Sequence, residues 1–348
     1  MLHLQASTFL PCNKFPKGCF VLIVEMAPME GITNYIYRLA FARWFGGVDR
    51  YFTPFLSPNQ HHSFQTKEWR EIEPENNRDL KVIPQLLTND AEHFLWAVGV
   101  IAERGFDEVN FNLGCPSGTV YSKKKGSGLI AEPDMLDRVL DEIFNGNEKA
   151  EKPLRISVKT RLGKEDPDEF IRILEIYNRY PLSELIIHAR VRTEFYKGEV
   201  HRDRFAYAIE NAKAPLSFNG NLFTAEDVNA VAKDFPTAYA VMLGRGMLAD
   251  PSLARQLQGG VGLTKEAFIG FHNELLTQNK AMLSGDAQLL HRMKELWPYW
   301  HLMFTNGRKY WKEVRKATRL SAYEATASRM FERESLLAGA HFSEYPDY

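Results

Sequence analysis

The chain has 348 residues, of which 45% are hydrophobic and 25% charged, and its formal net charge is −1 at pH 7. This composition is typical of an ordinary globular protein with a full apolar core, and it excludes an extensively disordered chain. The length fits one large α/β barrel with an appended domain, and no run approaches the ~18 apolar residues that a membrane-spanning helix requires.

Residues 1–19 are predicted to be an N-terminal extension. They lack the basic start of a secretory signal and lead directly into an apolar run. Two of the three cysteines, Cys12 and Cys19, lie here, and the third is Cys115. An odd number of cysteines without ligand spacing predicts neither a disulfide framework nor a metal site. We therefore expect a reducing, cytoplasmic compartment, no association with membranes and no protein partner.

Residues 20–250 alternate short apolar runs with amphipathic stretches, which is the pattern of βα units around a parallel sheet. Strands are predicted at 20–27, 50–55, 81–86, 108–112, 155–160, 184–188, 214–218 and 238–243. Helices are predicted at 35–44, 91–104, 134–143, 167–180, 203–211 and 225–233. Eight such units predict an α/β fold, a closed (β/α)8 TIM barrel.

Beyond about residue 251 the strand pattern stops. Residues 251–335 are predicted to form a second, all-helical domain, and residues 336–348 a tail that is frayed from Phe342 onward. Aromatic residues are interleaved with basic ones in the segment 291–320, a combination suited to phosphate contact and base stacking. An exposed helix face with core aromatics is the alternative. The segment contains eight basic residues and two acidic ones. The basic residues are Arg292, Lys294, Arg308, Lys309, Lys312, Arg315, Lys316 and Arg319, and the acidic ones are Glu295 and Glu313.

The active site of a βα barrel lies at the carboxyl ends of its strands, and several predicted strands end in reactive residues. Cys115 follows the fourth strand in a tight turn, where a thiol can act as an acid or a nucleophile; the alternative is a small buried hydrophobic side chain. Lys159 ends the fifth strand, where a cation can stabilise developing negative charge. His188 ends the sixth, either as a ligand-binding group or as a core histidine.

Glycine-rich turns follow the last two predicted strands. Asn219-Gly220-Asn221 and Gly244-Arg245-Gly246 allow close approach of the backbone, and a short helix after Gly246 would direct its amides at an anion. Either turn alone is weak evidence. Together, at adjacent strand ends, they predict a site for a phosphorylated ligand.

Taken together, these motifs resemble the tRNA-dihydrouridine synthase family in type, order and spacing over about residues 24–335. The motifs are Ala27-Pro28-Met29-Glu30-Gly31-Ile32-Thr33, Asn112-Leu113-Gly114-Cys115-Pro116, Val158-Lys159-Thr160-Arg161-Leu162-Gly163, His188-Ala189-Arg190, Asn219-Gly220-Asn221 and Gly244-Arg245-Gly246. The resemblance implies an FMN-containing barrel with a helical tRNA-binding domain that reduces uridines of tRNA at the expense of NADPH. One departure is Asn221, where an aspartate is common in the family.

The resemblance also implies individual roles. Cys115 would be the catalytic acid, and Asn112 would help to orient the uracil. We assign Arg292 and Lys294 of the basic segment to substrate binding. The residues that would hold FMN are Pro28, Met29, Glu30, Gln85, Lys159, His188, Asn219, Gly220, Asn221, Gly244 and Arg245.

The expected chemistry is hydride transfer from the flavin to C6 of the uracil and proton donation from Cys115 to C5. Two other functions remain open at this point. One is an FMN barrel that acts on a free pyrimidine, like a dihydroorotate dehydrogenase, for which the basic segment 291–320 has no use. The other is a non-catalytic RNA-binding protein, which needs neither Cys115 nor a yellow cofactor.

Overall fold

The computed structural model of the protein describes residues 22–337, 339 and 342. The predicted extension 1–19, the start of the first predicted strand and most of the predicted tail 336–348 lie outside the described residues.

Short, almost fully buried strands form one parallel sheet. They are buried on both faces, since helices cover the outside of the barrel and side chains fill the inside. Residues 22–337 contain nine strand segments: β1 Ile23–Met26, β2 Arg50–Phe52, β3 Val82–Ile83, β4 Gln85–Leu86, β5 Glu108–Leu113, β6 Arg155–Arg161, β7 Leu185–His188, β8 Leu216–Asn219 and β9 Ala240–Leu243. They are ordered β3-β2-β1-β9-β8-β7-β6-β5-β4.

The third barrel strand is interrupted at Pro84. On one side of this residue β3 pairs with β2, and on the other β4 pairs with β5. Proline has no N–H to donate to a neighbouring strand, but its carbonyl still accepts a hydrogen bond from the Asn110 amide at 2.8 Å. The two short segments therefore act as one strand that closes the barrel. The predicted (β/α)8 barrel is confirmed, whereas an unbroken third strand over 81–86 is wrong.

Helices alternate with the strands and then continue alone. Within residues 22–337 the α-helices are α1 Tyr35–Trp44, α2 Thr66–Glu71, α3 Ala91–Glu103, α4 Gly118–Tyr121, α5 Ser127–Ile130, α6 Pro133–Glu148, α7 Glu169–Tyr177, α8 Arg202–Asn211, α9 Ala225–Asp234, α10 Arg245–Ala249, α11 Leu253–Leu257, α12 Lys265–Met282, α13 Asp286–Lys294, α14 Trp297–Trp300, α15 Gly307–Lys316 and α16 Leu320–Arg333. Short 3₁₀ turns occur at Pro74–Asn77, Arg192–Glu194 and His301–Met303. The six predicted helices are all present, although α6 extends five residues beyond its predicted end.

Interstrand register places the functional residues beside one another at the carboxyl ends of the strands. Lys159 of β6 lies opposite Asn112 of β5, and His188 of β7 lies opposite both Arg161 of β6 and Asn219 of β8. Residues that are distant along the chain thus meet at one rim of the barrel.

The amino ends of the strands carry a buried ionic cluster. Arg50 lies 2.6 Å from Glu184 and 2.9 Å from both Glu25 and Glu108. All four side chains are buried. Burial raises the pKa values of Glu25 and Glu184, and the neighbouring carboxylates raise that of Glu25 further. The cluster lies at the end of the barrel opposite the active-site rim, where such residues contribute to stability.

The aromatic residues of the segment 291–320 are mostly core residues. Trp297 and Trp300 are fully buried, and Tyr310 packs inward with Val314, one helical turn away on α15. The predicted base-stacking role is therefore wrong for the buried rings, whereas Trp311 is half-buried and for it the role stays a prediction. Their spacing places them on the inner faces of the helices, while the basic residues lie on the outer faces.

No helix in the described part of the chain is both long and apolar enough to span a membrane.

Candidate active site

The predicted site residues meet in one cavity at the carboxyl ends of the strands. Its volume is about 290 Å³. Cys115 and Asn112 line it, together with every residue predicted to hold the cofactor: Pro28, Met29, Glu30, Gln85, Lys159, His188, Asn219, Gly220, Asn221, Gly244 and Arg245. Barrel topology therefore brings together residues that come from seven separate stretches of sequence.

The loop after β5 holds Cys115 in a defined position. The Asn112 side-chain oxygen accepts hydrogen bonds from the amides of Gly114 (3.1 Å) and Cys115 (3.0 Å), while the Ser127 hydroxyl donates to the Cys115 carbonyl at 2.6 Å. Burial raises the pKa of the Cys115 thiol, although the nearby Arg161 and Lys159 oppose this shift. The thiol is therefore protonated at neutral pH and able to donate a proton.

Gln85 and Asn112 are joined in a buried chain of amides. The Asn112 side-chain nitrogen donates to the Gln85 side-chain oxygen at 2.8 Å, and the Gln85 nitrogen donates to the Asn110 oxygen at 2.7 Å. Asn110 in turn donates to Ser157 at 3.0 Å. Because each amide fixes the next, this side of the cavity is set before any ligand binds.

Lys159 lies inside the cavity without a carboxylate in hydrogen-bonding contact among the described residues. Its Nζ donates to the Asn219 side-chain oxygen at 3.2 Å, and the Asn219 nitrogen donates to the Met242 carbonyl at 2.7 Å. Burial, assisted by the positive charge of Arg161, lowers the pKa of Lys159 to about 7. This amine is therefore poised to gain a proton when negative charge enters the cavity.

His188 is buried and neutral. Burial and the surrounding cations hold its pKa well below the usual range, and its Nε2 lies 3.2 Å from a guanidinium nitrogen of Arg190. A neutral imidazole at this rim offers one donor and one acceptor and adds no further positive charge.

Two guanidinium groups converge on Asn221 at the other end of the cavity: Arg245 lines the cavity, and Arg190 is buried beside it. The Asn221 side-chain oxygen accepts hydrogen bonds from Arg190 (2.9 Å) and Arg245 (3.3 Å). A neutral amide thus stands where two positive charges meet, and no carboxylate within the described residues forms an ion pair with Arg190. The predicted helix after Gly246 is α10, which begins one residue earlier, at Arg245. This end of the cavity is suited to a dianionic group.

The family of the chain follows from comparison with known proteins. A model of the dihydrouridine synthase family (Dus) matches residues 25–342. The chain belongs to the dihydrouridine synthase family. It is accordingly an enzyme, an oxidoreductase whose product is dihydrouridine.

Individual relatives agree with this assignment, and one solved structure shows the same fold. The chain is 27% identical over 239 residues to the tRNA-dihydrouridine(16) synthase of Pseudomonas syringae pv. tomato, covering 67% of this chain and 74% of that protein. It is 26% identical over 235 residues to tRNA-dihydrouridine synthase B of Pasteurella multocida, covering 68% of each. Morphinone reductase shares the fold, with a TM-score of 0.51 and 12% identity over 70% of this chain and 88% of that one.

Arg161 and Tyr196 are polar cavity residues of this dihydrouridine synthase that were not among the predicted site residues. Arg161 is buried, donates to the carbonyls of Gly114 (3.0 Å) and Val191 (3.1 Å), and lies 5.3 Å from the ring of Tyr196. Arg161 follows Lys159 by two residues in one strand, so alternation could have identified it. Tyr196 lies in an irregular loop, where no periodic pattern indicates which side chain turns inward.

The two predicted substrate-binding residues of the helical region lie outside this cavity. Arg292 lines a neighbouring depression together with Glu30 and Gly31, at the edge of the main cavity. Lys294 donates to the carbonyls of Arg315 and Ala317 and so caps the end of α15. A contact of either residue with substrate stays a prediction.

Proposed function

We propose that this protein reduces specific uridines of tRNA to 5,6-dihydrouridine, with FMN as its bound cofactor and NADPH as the reductant. The observation that carries this proposal is the cavity, in which a protonated thiol lies near Lys159 and Arg161 and which Arg245 also lines. Family membership supports the product, and the similarity to tRNA-dihydrouridine synthases supports tRNA as the substrate. NADPH rests on the family resemblance alone.

The chain's residues fit FMN. Arg245 at the cavity wall, with the charge of the buried Arg190 beside it, offers a cationic end for its phosphate, while Gln85, Lys159 and Asn219 offer polar contacts to a ring. Gly220 lines the cavity at a position where a side chain does not fit. Its φ is +128°, and a Cβ would lie 2.7 Å from the side chain of Val200. When bound, the flavin supplies the hydride that is added to C6 of the uracil.

The protein's own part is to position the uracil and to supply the second hydrogen. Cys115 donates its thiol proton to C5, which the raised pKa allows because the thiol is not ionised beforehand. Lys159 and Arg161 place positive charge close to the Cys115 thiol. This charge stabilises the negative charge that builds up on the uracil ring during reduction.

We further propose that residues 20–250 are the catalytic domain and residues 251–335 bind tRNA. The outer face of α15 exposes Arg308, Lys309, Lys312, Arg315 and Lys316, while its inner face is buried. Because the aromatic rings of this region lie in the core, its contact with RNA is electrostatic and should be strongly salt-dependent.

Treatment of unmodified tRNA with the wild type and with Cys115→Ala, followed by mass-spectrometric mapping, tests the reaction. We expect a uridine to gain two hydrogen atoms with the wild type and much less product with the variant. Retention of the yellow flavin absorbance by Cys115→Ala would show that its cofactor site is intact. A variant with wild-type yield would overturn the role of the thiol, and a colourless wild type would overturn the flavin assignment.

The double variant Lys312→Glu/Arg315→Glu tests the RNA surface. We expect weaker tRNA binding and a salt slope that is smaller by about 2, one for each lost phosphate contact. Lys149→Glu changes the charge of an exposed lysine that follows α6 on the outside of the barrel and serves as the control. Unchanged tRNA affinity in the double variant would favour an enzyme acting on a free pyrimidine.

A further inference from the structure

Phe342 is buried at the junction of the barrel and the helical region. Its exposed fraction is 2%, and its ring packs against Phe223, which follows β8 (5.3 Å between centroids), and against Tyr299 of α14 (5.7 Å). Sequence reasoning predicted a frayed tail from this residue onward. That prediction is wrong for Phe342 itself, because an apolar pocket between two parts of the fold receives its ring.

The preceding part of the chain runs back across the helical region. Leu336 forms an antiparallel bridge with Phe304, and the Leu337 amide donates to the Met303 carbonyl at 2.9 Å. These contacts anchor the C-terminal segment a few residues before Phe342. The segment thereby links the helical region to the strand ends that form the active site.

Phe342 also contacts a predicted cofactor residue. The guanidinium carbon of Arg245 lies 5.2 Å from the centroid of Phe342, and 5.3 Å from the centroids of both Phe223 and Tyr196. Rings within about 6 Å attract a guanidinium through their π faces. The three rings therefore restrain the position of the Arg245 guanidinium.

We infer that Phe342 is a positioning residue for the cofactor phosphate: it holds Arg245 in place and so makes FMN binding depend on the C-terminal segment. This inference rests on the proposed assignment of the phosphate to Arg190 and Arg245. Loss of one cation–π contact should weaken the phosphate interaction by about 3- to 30-fold. The flavin ring, which lies away from Arg245 in this assignment, should be unaffected.

The test compares FMN with riboflavin, which has the same ring system and no phosphate. The full-length protein, freed of flavin, is titrated with each, and binding is followed by flavin fluorescence. Phe342→Leu keeps the apolar volume and removes the π face. We expect Phe342→Leu to weaken the affinity for FMN by about 3- to 30-fold, while the affinity for riboflavin changes by less than about twofold. Leu337→Ala, an exposed position on the same segment, is the control and should change neither.

A second comparison separates positioning from general loosening of the fold. In an Arg245→Met background, Phe342→Leu should have no further effect on FMN, because the group that it positions is gone. Equal weakening of FMN and riboflavin by Phe342→Leu, or no weakening of either, would overturn the inference. If the wild type bound riboflavin as tightly as FMN, the phosphate assignment would fail instead, independently of Phe342.

Discussion

The glycine behind the catalytic loop offers a sharp test of how the thiol is positioned. Gly126 has φ 56° and ψ −127°, a combination that residues with a side chain rarely adopt. A Cβ at this position would lie 3.0 Å from the Cys115 Cβ and 3.1 Å from the Cys115 carbonyl oxygen. Carbon atoms in contact normally lie about 3.5–4.0 Å apart, so Gly126→Ala must displace Cys115 by several tenths of an ångström.

The expected magnitude follows from these contacts. The backbone strain should cost roughly 1–3 kcal/mol of folding stability. A catalytic group misplaced by about 1 Å can lose about 100-fold in rate, so a smaller displacement of the thiol should lower turnover by roughly 10-fold or more. Flavin binding should be retained, because Gly126 does not line the cavity. The assays are turnover on tRNA, flavin titration and urea unfolding.

Gly118→Ala provides the matched control in the same loop. Gly118 begins α4, and a Cβ there meets nothing within 4 Å, so activity and flavin affinity should both match the wild type. Wild-type turnover in Gly126→Ala would refute the reasoning, because it would show that the position of Cys115 does not depend on this contact.

Three further predictions concern buried charge. In the flavin-free protein Lys159 should titrate near pH 7, not at the usual 10.5, in NMR of ¹³C-methylated lysines, with Lys159→Met identifying the signal; a midpoint above about 9 would contradict its burial. Burial lowers the pKa of His272 to about 4, so the unfolded chain takes up a proton first as pH falls from 6.5 to 4. The free energy of unfolding should therefore fall by on the order of 3 kcal/mol across this window, and His272→Gln should lose that dependence in urea unfolding; equal slopes would refute it. Arg50→Met leaves the buried carboxylates of Glu25 and Glu184 without an ion-pair partner, while Glu108 keeps Arg155, and should cost roughly 3–5 kcal/mol in the same assay; a loss below about 1 kcal/mol would contradict the pairing.

The motifs identified most of the active site because they are local. Asn112 and Cys115 lie within one turn, and the residues at each strand end are adjacent in sequence. Strand alternation then indicates which side chains reach the rim. Tyr196 could not be identified in this way, since it reaches the cavity from an irregular loop.

In the basic segment 291–320, by contrast, the local sequence pattern did not identify the surface correctly. Its charges and rings are interleaved in sequence, which favours a mixed RNA-binding surface. Helical periodicity instead separates them, so that Tyr310 and Val314 point inward while Lys312 and Arg315 point outward. Lys294 is likewise basic by composition but caps a neighbouring helix.

Sequence by itself determined the barrel and the family, and it predicted the role of the Cys115 thiol, because the period of the apolar residues and the short motifs at strand ends are properties of neighbouring residues. Tertiary structure decided which charges face a ligand and which face the core. It also decided that Phe342 reaches Arg245, nearly a hundred positions away in sequence. Contacts of that kind depend on how separate elements pack, and no local pattern encodes them.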